Sequence, residues 1–174
     1  MIKKIFLLFL LTFFATISKP YAKNNLSDSF TDLFNPQKYP AAATFYTADD
    51  TPLKLSDFDG KVIVLNLWKA TCRTCLIELP ALNALAEKYP DIAVLAVSEG
   101  DENAIFIDNI LHKERRLNNL NVYLDKNQAL MKIMGGGKVP QTYLIDKTGK
   151  VRGHIKGGAD FNADQIQKQI DALR

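Results

Sequence analysis

"LWKATCRTCLIELP", Leu67 to Pro80, contains both cysteines of the 174-residue chain, Cys72 and Cys75. Before them, "KVIVLNLW" (Lys61 to Trp68) is a nearly continuous β-branched and apolar run bounded by Asp59-Gly60. Such a run suits a central strand buried on both faces. After them, Leu76, Leu79, Leu82, Leu85, Ala86 and Tyr89 recur at helical spacing up to Pro90. The cysteines therefore fall where a buried strand becomes a helix, and Pro80 is expected to cost that helix one backbone bond and to kink it.

The alternation continues outward. "IAVLAVS" (Ile92 to Ser98) predicts a second buried strand, residues 101–116 a helix with a mixed face, and "NVYLD" (Asn121 to Asp125) a short strand. "NQALMKIMG" predicts a short helix stopped by three glycines, "QTYLID" a strand, "KTGK" a turn and "VRGHIK" its hairpin partner. A closing helix is predicted from Asn162 to Leu173, capped by Asn162 with Gln165 three residues on. Strands alternating with helices and ending in a hairpin plus a helix imply an α/β sandwich around one mixed sheet.

Toward the N-terminus, "KNNLSDSFTDLFNPQKYPAAATF" is polar and broken by Pro36 and Pro40. Residues 23–40 of it form a linker, either a disordered spacer or a segment packed on the domain near Phe30 to Phe34. Ahead of it, "MIKKIFLLFLLTFFATIS" has a basic opening (Lys3, Lys4), an apolar stretch from Ile5 to Ile17, then small and polar residues. That is the layout of a secretory signal peptide, assigned to residues 1–22. Thirteen helical residues reach only about 20 Å, short of the roughly 20 residues that cross a hydrocarbon core. Two cleavage sites compete, Pro20-Tyr21-Ala22 and Thr16-Ile17-Ser18, and a retained N-terminal membrane anchor stays open as the alternative. No cysteine lies near this segment, so lipid attachment through an N-terminal cysteine is excluded.

Charge follows the same division. Three of the 22 basic residues (Lys3, Lys4, Lys19) lie in the first 22 positions, where there is no acid, leaving 19 basic against 19 acidic residues beyond. The net charge of +3 thus belongs to the targeting segment. A neutral remainder without a clustered basic face gives no support to nucleic-acid binding. "KERR" (Lys113 to Arg116) is most simply a solvated helix end. The remaining residues, numbered 41–174 for the domain proper, suffice for one core.

Four uses of the cysteine pair can be compared. A structural disulfide across so short a loop removes little chain entropy, about 2 kcal/mol against about 4.7 for a 100-residue loop. Zinc needs about four ligands, and only His112 and His154 remain, far apart and most simply surface residues; no metal is expected. Haem attachment fails because Leu76 stands where C-x-x-C-H needs histidine. What remains is a reversible dithiol. At a strand-to-helix junction the sulfur of Cys72 meets the unpaired N–H groups and positive end of the helix, which favour thiolate, and Arg73 adds a positive charge. Cys72 is then the exposed nucleophile. Cys75, one turn on and nearer the core, resolves the mixed disulfide. Glu78, a further turn along, is either a solvated helix glutamate or a partly buried carboxylate exchanging a proton with the pair.

These residues resemble the TlpA, ResA and CcmG (DsbE) group of thioredoxin-like bacterial extracytoplasmic thiol-disulfide oxidoreductases. "LKLSDFDGKVIVLNLW" is similar to the group's approach to its active site, with Asn66 where cytoplasmic thioredoxins carry a buried aspartate. "CRTCLIELP" matches the group's C-x-x-C-x-x-E-x-P, which thioredoxin itself lacks. "GGGKVPQTYLIDKTGKV" is similar to its G-x-P-x-T-F-L-I-D-x-x-G segment. Together these stretches span roughly residues 41 to 173. The resemblance implies a thioredoxin-like three-layer α/β/α sandwich with a central mixed sheet. It implies that Pro140 is a cis-proline facing the disulfide, that Val139 presents its backbone to an extended substrate segment, that Trp68 flanks the thiols and that Glu78 tunes them. With asparagine at 66, Glu78 becomes the better candidate for proton exchange. Two departures bear on potential: Thr71 precedes the first cysteine where the group usually has tryptophan, and Arg73-Thr74 replaces a proline-containing dipeptide.

The resemblance further implies a periplasmic reductant that needs no cofactor beyond the Cys72–Cys75 pair itself. Its expected partners are proteins with disulfides, apocytochrome c before haem attachment being the leading candidate, and a membrane electron donor of the DsbD or CcdA type. Three alternatives stand beside it. One is an oxidant that introduces disulfides and one an isomerase, which a domain without an added dimerisation module fits less well. The third, of another class, is a copper-binding chaperone on the same fold, which would want C-x-x-x-C and a distant histidine. A thiol peroxidase lacks its P-x-x-x-T-x-x-C pattern.

Overall fold

The computed structural model describes residues 26–33 and 35–174; the proposed targeting segment (1–22), residues 23–25 of the linker and Phe34 lie outside the described residues. Among the described residues, no helix is long and apolar enough to cross a membrane.

The run read as a buried strand forms β4 (Ile63–Trp68), every residue of which is buried. It lies at the centre of a mixed eight-stranded sheet because it pairs on both sides, parallel to β5 (Ala93–Ser98) and antiparallel to β7 (Gln141–Ile145). Beyond β7 come its hairpin partner β8 (Val151–Lys156) and β1 (Thr31–Asp32); beyond β5 come β6 (Tyr123–Leu124), β2 (Thr44–Thr47) and β3 (Pro52–Lys54). The sequence predicts only β4 to β8. β1, β2 and β3 are two to four residues long, β1 and β3 largely exposed and β2 with a single buried residue, Phe45, so they carry no apolar run for periodicity to detect.

Helix α1 (Arg73–Lys88) runs unbroken through Pro80 and buries Cys75, Glu78, Leu79, Leu82 and Leu85. Two cores result from the alternation of strand side chains. Val62, just before β4, and Val64 and Trp68 of β4 share a core with α1, a helical segment at 104–114 and α4 (Asp164–Asp171). Ile63, Leu65 and Leu67 face Phe45, Leu130, Met131 and Tyr143 on the other side. Helices thus cover both faces of the sheet, an α/β/α sandwich of the kind the sequence implies.

Several predicted boundaries move, each for a local reason. The helix predicted over 101–116 begins as α2 (Ala104–Asp108) because Asn103 caps it, its Oδ1 accepting the Phe106 N–H at 3.0 Å. It then continues as a π-helical turn over Asn109–Glu114. The short helix α3 (Ala129–Ile133) is capped by Asp125, whose carboxylate accepts the N–H groups of Leu130 and Met131 at 2.9 and 2.8 Å. Asn162 does not cap α4: its N–H donates to Asp160 Oδ1 at 3.2 Å, and the helix starts after Ala163 with no side-chain cap. The described part of the linker is docked. Phe30 is buried in the α1-side core, and Gln169 of α4 bonds both its N–H and its carbonyl at 2.8 and 3.0 Å.

Strand directions bring one set of loops together. β4, β5 and β6 are mutually parallel, β7 is antiparallel to β4, and β8 is antiparallel to β7. The segments leaving β4, β5, β6 and β8 and the one entering β7 therefore share a single edge of the sheet.

Candidate active site

Cys72 stands at that edge, directly after β4, as the cap of α1. Its Sγ accepts the Cys75 N–H at 3.2 Å, and the two sulfurs are joined in a disulfide. Exposure separates their roles: Cys72 is half-buried, whereas Cys75 is 0% exposed in the core that also holds Trp68 and Leu79. Only Cys72 can meet a macromolecular partner.

Opposite the disulfide, the Val139–Pro140 peptide is cis. The Val139 carbonyl oxygen lies 3.9 Å from Cys72 Sγ. In the oxidised pair that sulfur has no proton to donate, so this is a contact and not a hydrogen bond. Val139 is half-buried and Pro140 buried.

Glu78 is no solvated helix residue. It is 1% exposed on the α1 face that also carries Cys75. Its Oε1 accepts from Asn66 Nδ2 and its Oε2 from the Ala159 N–H, both at 2.8 Å. Burial outweighs these two bonds and pushes its pKa up to about 7. Gly158 lies close against this region: a Cβ there would come within 2.5 Å of Leu26 Cδ2 and 2.6 Å of Thr74 Cγ2, so a larger residue would force those side chains to shift next to the Ala159 N–H that bonds Glu78.

Asn66 and Trp68 lie inside rather than at the surface. Asn66 is 0% exposed and donates also to Thr142 Oγ1 at 2.9 Å, bridging β4 to β7. Trp68, the last residue of the central strand, is 0% exposed as well and lies in the same core as Cys75, so it offers no surface for the substrate contact expected of it. Arg73, the first residue of α1, is exposed.

The two histidines are not simple surface residues. His112 bridges Asp108 Oδ1 at 2.7 Å and the Leu120 carbonyl at 2.8 Å. His154 stacks on Tyr143 with ring centroids 4.2 Å apart and donates from Nε2 to Gln141 Oε1 at 3.0 Å. Burial holds its pKa down to about 4, so this ring is neutral. Among the described residues, no three His, Cys, Asp or Glu side chains gather as a metal site.

One buried acid escapes the sequence reading, which ends the second strand at Ser98. Glu99, the next residue, is 0% exposed, and among the described residues neither carboxylate oxygen has a partner. Burial, followed by the neighbouring Asp125, raises its pKa to about 9. The available signal was a glutamate directly continuing a nearly fully buried strand that is apolar up to Ser98.

The AhpC/TSA family profile matches residues 36–154, more than half of the chain. The chain belongs to the AhpC/TSA family. Among curated relatives, it is 37% identical over 120 residues to the thiol-disulfide oxidoreductase ResA of Bacillus thuringiensis subsp. konkukian, covering 68% of this chain and 65% of that protein. It is 34% identical over 107 residues to the thiol:disulfide interchange protein DsbE of Pseudomonas aeruginosa, covering 60% and 56%. The chain thus spans just under two thirds of the length of the ResA relative. Among solved structures, the exposed lipoprotein thioredoxin Etrx1 of Streptococcus pneumoniae superposes with a TM-score of 0.64 at 27% identity, over 75% of this chain and 98% of that one. A DsbE-named protein of Chlorobium tepidum reaches 0.69 at 24% identity, over 83% and 99%, a likeness of fold. These relatives agree with the likeness to the ResA and DsbE group read from the motifs, and with the thioredoxin-like architecture.

Proposed function

We propose that this member of the AhpC/TSA family is an extracytoplasmic protein thiol-disulfide oxidoreductase that reduces disulfides in partner proteins. The observation that carries the proposal is the asymmetry of the Cys72–Cys75 pair, one sulfur half-exposed at a helix N-terminus and the other sealed in the core. In the reduced form, the Cys72 thiolate attacks one sulfur of a substrate disulfide and the first substrate thiolate leaves. Cys75, deprotonated, then attacks Cys72 Sγ and the second substrate thiolate leaves. Two electrons and two protons pass to the substrate, and the protein is left with its own disulfide. Glu78, ionising near neutral pH one turn below Cys75, suits the proton side of this exchange. The cysteine pair acts without a further cofactor.

The basic and apolar segment at 1–22 supports export to the periplasm, with the domain either released or held by that segment. An oxidising compartment supplies no soluble reductant pool, so a membrane electron carrier of the DsbD or CcdA type restores the dithiol. The names of the ResA and DsbE relatives support the chemistry, and the cysteines of apocytochrome c before haem attachment are the leading substrate. The test is the reduction potential of the Cys72–Cys75 pair. A value near about −270 mV fits a reductant, whereas one near about −120 mV makes the protein a disulfide donor. Retention of full activity by Cys72→Ser would overturn the mechanism.

A further inference from the structure

The edge of the sheet that carries Cys72 is divided by charge. On the β7–β8 side of Cys72 lies a cleft of about 660 Å³ lined by Thr74, the Gly135–Pro140 segment and the Lys156–Gly158 segment. Its charged side chains are Lys138 and Lys156, both exposed, with no acid among the lining residues. Among the described residues, neither lysine makes an ion pair. Nor do the main-chain N–H groups of Gly137, Lys138 and Val139 donate to any described residue. Two unpaired cations and three unpaired donors thus stand beside the Val139 carbonyl that touches Cys72.

On the β5–β6 side the sign reverses. A second cleft, of about 580 Å³, is lined by Asp50, Asp101, Glu102 and Asp125 against a single lysine, Lys126, which pairs with Asp50. Asp125 is spent on α3, so the remaining negative charge comes from Asp101, which is exposed, and Glu102, which is half-buried with its Oε2 out of solvent beside Gly100 and without a partner among the described residues. The order β8-β7-β4-β5-β6 puts Cys72, at the end of β4, on the boundary between the two signs.

We propose that the substrate is a polypeptide whose target cysteine is flanked on one side by acidic residues. That flank lies in the glycine-lined cleft, its carboxylates against Lys138, Lys156 and the free N–H groups, while Asp101 and Glu102 repel the same flank from the opposite side. The two clefts therefore select which way the chain crosses Cys72, as complementary and like charges do at interfaces. This rests on the thiol-disulfide exchange proposed above and names the substrate class for it.

Pre-reduced protein is mixed in single turnover with three cystine-bridged peptides: glutamates only before the bridge, glutamates only after it, and serines on both sides. The protein dithiol becomes its disulfide and the peptide disulfide a dithiol, so no other reductant enters. The expected second-order rate constants differ between the two glutamate peptides by about fivefold, the scale of a good exposed charge contact. Raising salt to about 0.5 M brings that ratio toward one, as do Lys138→Gln/Lys156→Gln and Asp101→Asn/Glu102→Gln. A ratio of one in the wild type, with the serine peptide still reduced, overturns this inference and leaves the exchange activity standing. A ratio that both double variants leave unchanged also overturns it. If no peptide is reduced, the exchange activity falls and the inference falls with it.

Discussion

Asn66 Nδ2 donates to Glu78 Oε1 at 2.8 Å, tying the central strand to the helix that carries both cysteines. The second proton of the same amide goes to Thr142, so the carboxylate is held by a side chain that is itself fixed to two strands. Asn66 Oδ1 is left without a partner among the described residues.

That spare acceptor makes Glu78→Gln a clean test. Turning the Asn66 amide lets its oxygen accept from the new glutamine nitrogen, so the variant folds. We expect the inflection near pH 7 in the pH–rate profile of thiol exchange to disappear and the resolving step to slow about 10²-fold, the lower end for general acid–base catalysis. Stopped-flow kinetics from pH 5 to 9 measures both.

Cys75→Ser leaves the exposed thiol and removes the buried one. The variant is expected to accumulate mixed disulfides with substrate through Cys72, because nothing remains to displace it. Non-reducing electrophoresis with mass spectrometry of the adduct checks this, and adducts that map elsewhere would refute the assignment.

Phe30→Ala tests whether the segment before β2 belongs to the folded unit. Phe30 is 3% exposed and packs over Gly153, where a Cβ would come within 2.7 Å of it. Truncation is expected to cost about 3–5 kcal/mol of unfolding free energy, measured in urea. A loss typical of an exposed site would mean the segment is not docked in solution.

Glu99→Gln addresses the unpartnered buried acid. Its folded pKa of about 9 exceeds the unfolded value of 4.5, so the native state binds its proton more tightly. Stability therefore falls as pH rises through the interval from 4.5 to about 9 and levels off beyond it. Glu78 contributes the same sign between 4.5 and about 7. The glutamine variant is expected to raise Tm at pH 9 more than at pH 5 in the oxidised protein, by scanning calorimetry.

The sequence by itself determined the strand–dithiol–helix junction and the alternation around it. An apolar run long enough for a central strand and a leucine repeat at helical spacing are local patterns that survive without tertiary context. The motif "CRTCLIELP" likewise brought Cys72, Cys75 and Glu78 into view, because a single helix spaces them. Tertiary structure alone decided the rest. Whether Glu78 met water or the core depended on Ala159, 81 positions away, and on the loop at Gly158 that brings its N–H there. Trp68 and Glu99 are buried because other elements cover the ends of β4 and β5, a fact absent from their own neighbourhoods in the chain. The charge division around Cys72 is likewise invisible in a chain that is neutral beyond its first 22 residues. It arises because strand direction sorts distant loops onto one edge, Lys138 and Lys156 to one side of the cysteine, Asp101 and Glu102 to the other.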